Sequence, residues 1–140
     1  MVKSKLKYVI LPIVFLLLSS LTYAQIRKLR TTGVAVKYKL SDYRWGDWSD
    51  FEETSILIVM DLDKDRITIY SDETQIYDVA QDEGRTTDSD GDDFWSFYCI
   101  NSEGLACRVR LAKLNSQNGR YQLYIDFSDM KWVYNLYSLD

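Results

Sequence analysis

Between residues 94 and 137, apolar and polar side chains alternate almost one for one, and short turns rich in Gly, Asn, Ser and Asp break the alternation. A repeat of two marks a β-strand with one buried face, because successive side chains point to opposite sides. In residues 121–127, Tyr121, Leu123, Ile125 and Phe127 share a face. After a turn at 128–131, Trp132, Tyr134 and Leu136 share a face of the next strand. Pairing Phe127 with Trp132 sets Ile125 against Tyr134 and Leu123 against Leu136, so both apolar sets lie on one side. A slip of one residue would turn one of these sets to water.

The two cysteines report on the preceding hairpin. A three-residue loop Ser102-Glu103-Gly104, with glycine in the left-handed region, is a common hairpin connection. It pairs Cys99 with Cys107, Phe97 with Val109 and Trp95 with Leu111, all on one apolar face. A disulfide between Cys99 and Cys107 is therefore expected, a staple worth about 2–3 kcal/mol in the chain-entropy model. One geometric tension accompanies it: a hydrogen-bonded cross-strand pair is a less relaxed place for a disulfide. The segment Gln117-Asn118-Gly119 has the same turn chemistry and pairs Leu111 with Ile125 and Val109 with Phe127. Residues 94–100, 105–113, 121–127 and 132–137 then form one antiparallel meander.

The first half of the chain reads as further strands at 34–40, 56–62, 66–70 and 75–80. Leu62 set against Ile67 aligns Met60 with Ile69. No internal repeat or linker interrupts the sequence, and two longer loops are expected at 41–55 and 81–93. Eight strands in chain order joined by short turns make an all-β fold, an up-and-down meander closed into a small barrel or folded into a two-sheet sandwich.

At the N-terminus, Lys3, Lys5 and Lys7 precede an apolar run at 8–18, and Thr22-Tyr23-Ala24 places small residues at a cleavage site. This is the order of a secretory signal, so residues 1–24 are expected to be removed and residues 25–140 to form a single β domain in the periplasm or outside the cell. The run is shorter than the roughly 20 residues that cross a bilayer, so no membrane span is expected after cleavage. The full chain holds 17 Lys and Arg against 21 Asp and Glu. Loss of the three signal lysines leaves a net charge of −7, with no basic stripe to bind nucleic acid.

Histidine is absent. That excludes Ser-His-Asp and Cys-His catalysis, histidine-ligated zinc, and the commonest general base near neutral pH. An enzyme would have to work with carboxylates alone, such as a two-acid glycan hydrolase. The acids sit mainly in turns, which ranks this third, and no enzymatic activity is expected. Residues 87–93 gather four aspartates. A solvated acidic loop is the plain reading; calcium held by Asp88, Asp90 and Asp92 is the alternative, although the EF-hand spacing is not met. Otherwise no cofactor is expected. Tyr43, Trp45, Trp48 and Phe51 crowd the 41–55 loop, where aromatics either stack on a ligand such as a sugar or fold back to close one end of the core. Arg108 and Arg110 alternate outward opposite Tyr98 and Ser96, as on an ordinary solvent face or a shallow partner surface.

Trp45 and Trp48, the strand–turn–strand from Asp63 to Ser71, Gln75-Ile76-Tyr77 and the Cys99/Cys107 hairpin resemble the small exported β proteins of unknown function common in gut Bacteroidetes. The resemblance implies an exported β protein and transfers no catalytic residues. The strand order is also similar to lipocalin-like barrels, as an architectural likeness only. The expected function is an exported, non-catalytic module that binds a small ligand or glycan, with a protein-interaction or structural module of the cell envelope as alternative. A hollow interior would point to ligand binding and a filled one would move function to the surface.

Overall fold

The computed structural model describes residues 25–140, and the signal-peptide reading falls on residues 1–24, outside them. The long strands are β1 (Ile26–Ser41), β4 (Leu57–Asp61), β5 (Arg66–Tyr70), β6 (Thr74–Thr87), β7 (Asp93–Asn101), β8 (Ala106–Leu114), β9 (Arg120–Asp126) and β10 (Met130–Ser138). Two short strands, β2 (Arg44–Trp45) and β3 (Glu52–Glu53), lie between β1 and β4. Each of β4 to β10 pairs antiparallel with its neighbour in sequence, and β1 pairs with both β4 and β10. The eight long strands therefore close into an up-and-down barrel, which decides between barrel and sandwich. Closure satisfies the backbone groups that an open sheet would present at its edges. Among the described residues, no helix is long and apolar enough to cross a membrane.

Inward positions follow the alternation in the sequence. Leu29, Ile58, Ile67, Ile69, Val109, Leu123 and Ile125 have no exposed surface, and Phe97, Tyr77, Tyr134 and Leu136 complete the packing. Each large aliphatic side chain so buried contributes about 1.5–3 kcal/mol. Side chains thus fill the barrel axis, as in other small barrels of eight strands.

The expected cysteine hairpin is present: Cys99 faces Cys107, Phe97 faces Val109 and Trp95 faces Leu111. Three other registers differ by two residues from the expected ones. Ile125 pairs with Trp132, Val109 with Ile125, and Met60 with Ile67. The turns account for the first two differences. Phe127 N donates to Met130 O across a two-residue loop, whereas the 114–120 connection is a five-residue loop. In the latter, residues Asn115–Gln117 form a 3-10 turn and Asn118 and Gly119 take positive φ. A shift of two preserves which side each residue faces, so the core is the expected one.

The disulfide expectation is corrected, for Cys99 and Cys107 are both free and buried. Asn101 N donates to Leu105 O, which makes that pair hydrogen-bonded. Two residues further along, Cys99 and Cys107 are the next hydrogen-bonded pair, a less relaxed place for a cross-strand disulfide. Strand β6 is also longer than expected. It runs through most of the anticipated 81–93 loop, with bulges between Val79 and Gln81 and between Asp82 and Gly84. Up-and-down order places the turns at 71–73, 102–105 and 127–129, with the segment leaving β1, on one rim. The turns at 62–65, 88–92 and 115–119 lie on the other.

Candidate functional site

The 41–55 segment does not cap the barrel. Strand β4 covers only the first part of β1, residues Ile26 to Arg30. Beyond it the segment runs back along the exposed edge of β1 as an irregular strand. Gly46 N donates to Tyr38 O, Ser49 N donates to Val36 O, and Ser49 Oγ accepts from Val36 N. From this edge Trp48 reaches Tyr124 on β9, with ring centroids 6.2 Å apart at 66°. That path crosses the outer side of β1 and β10, and it accounts for the burial of Ala35 and Val133, which are cross-strand partners there. The sequence-predicted aromatics therefore divide. Trp45 and Trp48 lie against the outer wall, whereas Tyr43 is fully exposed and Phe51 half exposed.

Two lysines join the tryptophans. Lys37 on β1 and Lys131 on β10 stand directly opposite each other. The Lys131 ammonium lies 4.6 Å from the Trp45 ring centre, and the Lys37 ammonium lies 4.8 Å from that of Trp48 and 5.7 Å from that of Trp45. Neither lysine forms an ion pair among the described residues. Like charges directly opposite on a sheet are unfavourable, and the indole faces offset part of that cost.

Beside Trp45 and Lys131 the outer wall holds a groove of about 360 Å³, also lined by Tyr98, Arg108, Asp126 and Ser128. Asp126 Oδ2 accepts from Arg110 Nε at 2.7 Å, while its buried Oδ1 has no donor. Arg108 makes a two-pronged pair with Glu83, at 2.6 and 3.1 Å, and its hydrogen bond holds the Glu83 carboxyl below the usual range. The bulge after Asp82 puts Glu83 within reach of β8 across β7. Arg108 and Arg110 do point outward opposite Tyr98 and Ser96. With both arginines matched by acids, Lys37 and Lys131 remain as a local positive site on an acidic chain.

The acidic loop lies on the opposite rim. Oxygens of Asp88, Asp90 and Asp92 fall within 4.8 Å of one another. Hydrogen bonding explains much of that gathering. Asp88 Oδ1 accepts from the amides of Asp90 and Asp92, and Asp92 accepts from the amide and hydroxyl of Ser116. Next to them Asp93 accepts from Thr87, Arg85 and Asn115, the Thr87 hydroxyl being the first cause of its lowered pKa. These bonds tie the β6–β7 turn to the 115–119 loop.

Lys37, Lys131 and Asp126 escaped the sequence reading, since each is an ordinary polar residue in an alternating strand. Their role comes from cross-strand neighbours, and only Trp45 and Trp48 carried a legible signal. The fold and this groove define a small closed up-and-down β-barrel with a filled axis and an aromatic, cationic recess on its wall. No match is found for the chain among protein-family models, curated proteins or solved structures.

Proposed function

We propose that the protein is an exported, non-catalytic binding module that takes an acidic glycan in the wall groove beside Trp45. The single observation that carries the reading is the Trp45–Lys37–Lys131 unit at the edge of that groove. A sugar ring offers C–H faces to an aromatic wall, and hydroxyls to groups such as Tyr98, Ser128 and Asp126. An acidic substituent supplies the charge that the opposed lysines lack. The filled barrel axis supports a surface site. A two-acid hydrolase gains no support here, because the groove is lined by one carboxylate and Arg110 already binds it.

Calorimetric titration with uronate-bearing oligosaccharides and their neutral counterparts tests the proposal. Wild-type protein should favour the acidic set. Trp45→Ala and Lys131→Ala should each weaken binding about tenfold or more, equivalent to roughly 1.4 kcal/mol. Tyr43→Ala should bind as wild type. A folded protein that ignores both sets of sugars, or that binds equally well without Trp45, overturns the reading.

A second reading rests on a separate observation. Tyr38, Leu40 and Tyr43 are all about half exposed or more, around the tip of the β1–β2 hairpin. Exposed apolar side chains gathered in this way suit a protein partner. In that case Tyr43→Ala, and not Lys131→Ala, would abolish the interaction.

A further inference from the structure

We propose a second binding site, in the mouth of the barrel, for a small organic cation. The rim that carries the turns at 71–73, 102–105 and 127–129 encloses a recess of about 230 Å³. Its aromatic wall is Phe127 and Trp132, whose rings stack with centroids 5.5 Å apart and 26° between planes. Deeper in, Tyr77 is buried and donates its hydroxyl to Gln75 Oε1 at 2.6 Å, and Gln75 Nε2 donates to Ser71 at 3.0 Å. These bonds hold the polar part of the wall in place without a ligand.

The charges in the recess have one sign. Glu73 and Glu103 line it, from two different turns, and no lysine or arginine does. Neither glutamate forms an ion pair among the described residues. A concave site with charge of one sign concentrates that field and selects the opposite charge. An alkylammonium group answers both features at once, since its charge suits the carboxylates and its methyl or methylene surface suits the aromatic faces. Trp132 Nε1 is buried beside the Tyr134 hydroxyl, out of a ligand's reach, so recognition rests on the two carboxylates and the aromatic rings.

This site is independent of the wall groove. Phe127 borders both recesses, but the charge on the wall is positive and the charge in the mouth is negative. The two sites should therefore take ligands of opposite sign.

Choline is the probe, with 3,3-dimethyl-1-butanol as its uncharged isostere, followed by the indole N–H resonances in two-dimensional NMR. Choline should shift the Trp132 resonance saturably, with little effect from the isostere. The double variant Glu73→Gln, Glu103→Gln should keep a folded spectrum and bind choline at least tenfold more weakly. Trp45→Ala should bind it as wild type does, which separates this result from success or failure at the groove. Equal binding of choline and its isostere, unchanged affinity in the double variant, or shifts confined to Trp45 and Trp48 would each overturn the proposal. So would the absence of any shift.

Discussion

Cys99 and Cys107 face each other inside the barrel as free thiols, and burial pushes each up to about 12 from an ordinary value of 9.0. Burial likewise raises Tyr77 and Tyr134 above theirs. A raised pKa means that the folded state holds its proton longer than the unfolded state. The resulting stability is complete below the unfolded pKa and is lost as pH climbs toward the folded one. Stability measured by urea unfolding should therefore hold to about pH 9 and fall above it. The fall should approach 1.4 kcal/mol per pH unit for each ionising thiol. Replacing both cysteines by alanine should flatten the slope between pH 9 and 10, and an unchanged slope would sink this account. The same residues show the limit of reading side chains from sequence. Their register was legible from Gly104 and the alternation, but their bonding state depended on which kind of cross-strand pair they occupy.

Among the elements, β6 is the least protected. Its first part pairs with β5 as far as Asp78, and Val79 N still donates to Asp65 O. From Ala80 to Thr87 it pairs only with β7 and is exposed throughout. Two bulges and a run of charged residues blunt this edge, as suits a strand that must not recruit another. Strand β8, by contrast, is bonded on both sides and carries buried Cys107, Val109, Leu111 and Leu114. Native-state hydrogen exchange should follow that difference, with amides of residues 80–87 exchanging about 100-fold or more faster than those in the middle of β8. Equal protection would mean that β6 has a partner outside the described residues. The extension of β6 was hidden from sequence because Gln81-Asp82-Glu83-Gly84-Arg85 has no apolar alternation, and the same composition suits a loop. Its strand geometry comes from pairing with β7.

For the whole molecule, the decisive contact joins the ends of the chain. Strand β1 pairs with β10 over Leu29 to Tyr38, bringing together residues roughly a hundred positions apart. Such closure requires long loops to form before any gain in contacts, so folding should be slow for a domain of this size, in milliseconds to seconds. Because β10 also supplies Trp132, Tyr134 and Leu136 to the core, removing residues 130–140 should abolish the fold and not leave a seven-stranded sheet. Circular dichroism of the truncated chain should show no cooperative melt, and a sharp transition with native strand content would contradict this. Closure also assembles the groove. Trp45 follows β1, Lys131 lies on β10, Asp126 on β9 and Arg108 on β8, so no short stretch of sequence contains the site. Strand order, the inward-facing set and the loop tryptophans follow from the sequence by itself, since alternation and turn chemistry are local. Register to within two residues, closure of the barrel, the unbonded thiols and the lysine pair were decided only by the tertiary structure. A pattern of period two is unchanged when a strand slides by two, and contacts between distant strands leave no local signature.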